Sequence, residues 1–143
     1  MNGEPIPDAD HVLRHVKGRF IQNDQISGAS FRLRENENEL SFNWMEFDFY
    51  RSHSAEEQVA LIRANFPLNL SPKDRFASLN VGAAKLRVLN EHPAAKVLDF
   101  IENGYVENPS HCFMTIEELD DMVGDLLAQC ILNQFPAVIR ESS

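Results

Sequence analysis

The sequence predicts an α+β fold, a single domain in which a mainly antiparallel sheet is packed by amphipathic helices. Three observations carry that expectation. Apolar and polar residues alternate with period two over 29–34 and 40–45, which places the sheet around the 29–34 and 40–49 segments. Apolar stripes at helical spacing run over 55–66 and 116–132. A length of 143 residues with 43% hydrophobic composition suits one core rather than two.

Taken in order, residues 1–8 hold two prolines and a glycine, which reads as a flexible N-terminal arm with little to pack, and the domain itself as 9–143. The 10–17 segment places Val12, Leu13 and Val16 on one side of a short helix capped by Asp8 or Asp10. Ala29, Phe31 and Leu33 alternate with Ser30, Arg32 and Arg34, and Leu40, Phe42 and Trp44 alternate with Ser41, Asn43 and Met45. These two segments read as a β-hairpin joined across the polar tract 35–39.

Ser54-Ala-Glu-Glu57 has the spacing of a capping box, in which serine and glutamate side chains satisfy amides that the first helical turn leaves unpaired. A helix is expected to follow, with Ala55, Val59, Ile62 and Phe66 facing the core until Pro67 ends it. The 76–81 segment reads as a buried strand broken by Gly82, with a short helix over 83–89. The 96–101 segment fits strand or helix, the strand being favoured by the turn signal Asn103-Gly104. A short strand over 111–114 leads to Thr115-Ile-Glu-Glu118, a second match to the capping box. The helix after it presents Leu119, Val123, Leu126 and Cys130 on one side and Glu117, Asp121 and Asp125 on another, ending before Pro136.

Thirteen Lys and Arg against 22 Asp and Glu leave a net charge of -9, which disfavours direct nucleic-acid binding and attachment to an anionic membrane. No apolar run approaches the ~20 residues of a membrane helix. The first residues lack the basic and apolar regions of a secretory signal, so a cytoplasmic location is expected. Two cysteines, Cys112 and Cys130, are too few for a disulfide framework and read as free thiols.

The acidic line points to a non-catalytic binding or regulatory protein that engages a basic protein partner through Glu117, Glu118, Asp121 and Asp125. Phosphate mimicry toward a nucleic-acid-binding protein is one variant of that reading. The alternative is a small enzyme acting on an anionic or nucleotide-like ligand, with His11, Arg14, Ser41, Asn43, Glu46 and His111 around one pocket. Arg14, Arg32 and Arg34 are candidates for holding an anion, because guanidinium groups bind phosphate and carboxylate in a bidentate way. His11 and His15 have a spacing found in zinc sites, but no glutamate follows His11 and further ligands would have to come from His111 or Cys112, so no metal or cofactor is expected. The oligomeric state is left open.

The serial order Asp10-His11-Val12-x-Arg14, Ser27-Gly28-Ala29-x-Phe31-Arg32, Leu40-Ser41-x-Asn43-Trp44-x-Glu46, Leu79-Asn80-Val81-Gly82 and Pro109-Ser110-His111 resembles a family of short, uncharacterised bacterial proteins. The resemblance spans most of the chain, with Phe42 and Met45 in place of smaller or branched aliphatics. It implies a bacterial cytoplasmic protein, with a role in a defence or mobile-element system, and assigns no catalytic residue.

Overall fold

In the computed structural model, residues 2–32, 39–48, 50–65, 70–93, 98–117 and 119–137 are described. The central strand β1 (His11–Val16) lies between β4 (Leu40–Trp44) and β5 (Arg75–Asn80), antiparallel to both. Beyond β4 come β7 (His111–Thr115) and β6 (Asp99–Glu102), and beyond β5 comes β8 (Asn133–Pro136), giving the order β6-β7-β4-β1-β5-β8. Every neighbouring pair is antiparallel. A two-stranded ribbon, β2 (Ile21–Gln22) and β3 (Gln25–Ile26), stands apart from this sheet.

Helices cover both faces. Leu13 and Phe76 pack on one side with Val59 and Ile62 of α1 (Ala55–Asn65). Val12, Phe42, Leu79 and Phe100 pack on the other with Val88 of α2 (Val81–Glu91) and Val123 and Leu127 of α3 (Asp121–Gln129). No helix among the described residues is long and apolar enough to cross a membrane.

The helix expected over 10–17 is corrected to β1. Residues 12 to 16 are all buried, because the strand is central and covered on both sides, so its polarity does not alternate and its valines mimic a helical stripe. The hairpin between 29–34 and 40–49 is also corrected. Gly28–Phe31 form a 3₁₀ turn whose entry is capped by Ser27, and β4 pairs instead with β1 and β7. Leu33, Arg34 and the 35–38 part of the linker lie outside the described residues. Packing decides the turn: a Cβ on Gly28 would stand 2.7 Å from the Asp125 amide nitrogen, and one on Gly124 would stand 2.6 Å from the Gly28 carbonyl oxygen. β4 ends at Trp44, shorter than the 40–49 expected.

The first capping box forms as expected, Ser54 Oγ accepting from the Glu57 amide at 3.2 Å and Glu57 Oε1 from the Ser54 amide at 3.0 Å. The second does not. Thr115 ends β7 opposite Asp99, and α3 starts six residues later under Asp120, whose Oδ1 accepts from the Val123 amide at 3.0 Å. The 116–132 helix is therefore shortened, and 133–136 becomes an edge strand. Gly82 does not break the chain before a helix; it sits in the first turn of α2, where a Cβ would meet the Asp8 carbonyl oxygen at 2.9 Å. The arm expected to pack little instead lies along β6, with Gly3 N–H bonded to Glu102 O, Ile6 N–H to Phe100 O, and Ile6 buried.

Candidate functional site

His11 opens β1, opposite Asn80 of β5. The chain leaving β4 turns back across it: Met45 N–H donates to His11 O at 2.9 Å, which brings Glu46 alongside. Glu46 then holds the histidine twice, its Oε1 accepting from the His11 amide at 2.6 Å and its Oε2 lying 2.7 Å from His11 Nδ1. Both side chains are about a third exposed, at 37% and 31%. The carboxylate orients the ring through Nδ1, so a ligand would meet the histidine at Nε2.

The other residues of the expected pocket divide between the two faces of the sheet: Ser41, Asn43 and His111 share the face of His11, and Arg14 does not. Asn43 is buried on the same sheet face, and its amide donates to Asn108 Oδ1 and, at 2.8 Å, to Ser110 Oγ, tying β4 to the 103–110 turn. Tyr50 shares Ser110, and burial pushes its hydroxyl above the ordinary tyrosine value. His111 lies opposite Asn43, with Nδ1 3.0 Å from Asn103 O and its ring centroid 5.4 Å from that of Tyr105. Ser41 is half-buried opposite Phe113.

Arg14 belongs to the opposite face. It is 2% exposed, donates from Nε to Ser30 O at 2.7 Å and from Nη1 to Ser41 O at 2.9 Å, and lies 5.7 Å from the Phe42 ring centroid. Its guanidinium bonds to one carbonyl of the 28–31 turn and one of β4, and so fastens the turn to the sheet. Arg32 pairs with Asp121, Nε to Oδ1 at 3.1 Å, and Arg34 lies outside the described residues, so Arg14 and Arg32 do not form one anion site. His15 shares a face with His11 but has its own carboxylate, Asp74, at 2.8 Å. Among the described residues no group of three or more His, Cys, Asp and Glu is placed to hold a metal ion.

The acidic residues divide by role. Asp121 is 80% exposed in the first turn of α3. Asp125 is exposed one turn on and makes no ion pair among the described residues, its carboxylate resting over Gly28. Glu117 is exposed before the helix, and Glu118 lies outside the described residues. Asp120 caps α3 and lies 2.8 Å from His92 Nε2; the Val123 amide and then His92 hold its carboxyl below the usual range.

Asp125 also lines a groove of about 730 Å³ that sequence reasoning missed. One wall is the β2–β3 ribbon, with Asp24, Gln25 and Ile26; the other is formed by α3 and 131–134. Asp24 fixes the two walls, accepting from Arg75 at 2.8 Å through its carboxylate and from Gln134 Nε2 at 2.9 Å through its carbonyl. The signal for the ribbon was Asn23-Asp24, two residues that tolerate positive φ and adopt 51° and 63° in its turn. No family model, curated protein or solved structure matches the chain.

Proposed function

We propose that the protein is a non-catalytic binding or regulatory protein that engages a basic protein partner through the acidic surface of Glu117, Glu118, Asp121 and Asp125. One observation carries the reading: Asp125, exposed and without an ion pair among the described residues, stands on the wall of the groove beside α3. The net charge of -9 favours encounter with a cationic partner, and concave surfaces with a few placed polar groups are where ligands bind. Arg14, Asn43 and His15, which could have served chemistry, are instead held by buried bonds.

The test is the affinity of a lysine-rich peptide for the intact chain, measured by fluorescence anisotropy at low and at physiological salt. Binding weakened about tenfold by the pair Asp121→Lys and Asp125→Lys, and weakened by salt, is the expected result. Unchanged affinity and salt dependence in that variant would remove the surface from consideration.

A second reading, a small enzyme acting on an anionic or nucleotide-like ligand, is favoured by the His11–Glu46 contact alone. Titration with inorganic phosphate and with a nucleoside monophosphate, followed through the His11 ring resonances, tests it. Resonances that stay fixed would count against that site.

A further inference from the structure

The two ends of the sheet differ. At one end residues 3–6 bond along β6, through Gly3 N–H to Glu102 O, Glu102 N–H to Glu4 O and Ile6 N–H to Phe100 O, so that edge is covered by the chain itself. At the other end, among the described residues, β8 pairs with β5 alone, and β3 likewise pairs with β2 alone. Residues of both strands, Gln25 and Ile26 from β3 and Asn133 and Gln134 from β8, line the groove that Asp125 borders.

The register shows what β8 offers. Ala137 N–H donates to Asp74 O, and the pairing continues as Pro136 with Arg75, Phe135 with Phe76 and Gln134 with Ala77. Backbone groups of an antiparallel strand alternate between the partner side and the free side. Residues 137 and 135 therefore bond toward β5, and the Gln134 N–H and C=O with the Pro136 C=O face outward. An extended chain meets such an edge with its own alternating donors and acceptors.

We propose that this groove takes an extended segment of a basic partner protein by strand addition to the open edge of β8. The proposal rests on the partner-binding reading above and names its mode. Charge selects the occupant. Among the described residues two carboxylates, Asp24 and Asp125, and no cationic side chain line the groove; Arg75 already holds Asp24, which leaves Asp125 to meet a lysine or arginine of the incoming strand. Leu132 is 53% exposed in the same wall and provides apolar contact for a neighbouring side chain. Pro136 has no N–H and limits the slot to the stretch before it.

The test uses the ¹⁵N-labelled full chain and an acetylated peptide of alternating lysine and valine. Versions N-methylated on one or the other alternate set of residues, and the glutamate–valine counterpart, serve as controls. The lysine peptide is expected to shift the amides of Gln25, Ile26, Leu132, Asn133 and Gln134 in a saturable way. Methylation of the set that faces β8 is expected to weaken binding about tenfold, and methylation of the other set to leave it unchanged. Asp125→Asn is expected to weaken it severalfold with the other amides undisturbed.

Shifts confined to Glu117, Asp121 and Met122, with no response to either methylated set, would overturn strand addition and leave the partner-binding reading standing. Loss of that reading shows separately, as an affinity indifferent to charge reversal at Asp121 and Asp125. Absence of groove shifts with every peptide overturns the proposal. So does a concentration-dependent shift of the same amides in the free protein, which would make a second copy the occupant.

Discussion

At the residue scale Asp74, 2% exposed, takes bonds from His15, from the Gly18 amide at 2.9 Å and from the Ser71 amide and hydroxyl at 3.2 and 3.0 Å. Burial alone would raise its carboxyl; the bonds from His15, Gly18 and Ser71 outweigh it and hold the group below the usual aspartate value. A folded-state pKa below the unfolded one stabilises the fold above the ordinary aspartate range, and the contribution is lost as pH falls through the folded value. Urea unfolding is therefore expected to show Asp74→Asn less stable by about 3 kcal/mol at neutral pH, with the gap closing in acid. A gap that persists in acid would contradict this assignment.

The two thiols differ in the same scale of detail. Cys112 is fully buried and Cys130 half-buried, and burial raises both. Labelling of the native chain with a maleimide, read by mass spectrometry, is expected at Cys130 first and at Cys112 only on unfolding. Free thiols were legible from their number and their apolar neighbours. The carboxylate partners of His11 and His15 were not, since Glu46 and Asp74 lie 35 and 59 residues away and spacing along the chain reports only local faces.

At the scale of elements, the same four-residue pattern behaves differently at its two occurrences. Ser54 is free to cap because no strand holds it, whereas Thr115 belongs to the ladder with Asp99 and leaves the cap to Asp120. Asp120→Ala is expected to cost about 1 kcal/mol by thermal or chemical unfolding, and Thr115→Ala to leave the start of α3 unchanged in its amide shifts. Gly28 and Gly124 let the 28–31 turn and α3 touch through their backbones. Gly28→Ala, with its Cβ facing the Asp125 backbone, is expected to destabilise the fold by roughly 1–3 kcal/mol. A neutral Gly28→Ala would show that the turn and helix separate at little cost. Alternation of Ala29, Phe31 and Leu33 looked like a strand because three residues are too few to report a period, and in the turn it is Gly28, Ser30 and Phe31 that are buried.

For the whole molecule, the α+β class with an antiparallel sheet was legible in the periodicities, while the strand order was not. β1 carries no alternation because it is covered on both faces, and the edge strand β8, Asn-Gln-Phe-Pro, is too short to show a pattern of its own. The acidic character of α3 was legible as a line of residues, but the groove beside it arises where the ribbon, α3 and β8 meet, which no local pattern encodes. The enzyme alternative set Arg14 and His11 around one pocket, but a strand sends residues an odd number apart to opposite faces.

On the partner-binding reading, the partner contacts the α3 face and its groove. Hydrogen exchange of the full chain, with and without a saturating lysine-rich peptide, tests it most directly. Slowed exchange is expected in the backbone over 121–134 and in β3, with β4 and the 103–111 turn unchanged. Slowed exchange centred on His11, Glu46 and His111, with 121–134 unaltered, would contradict it.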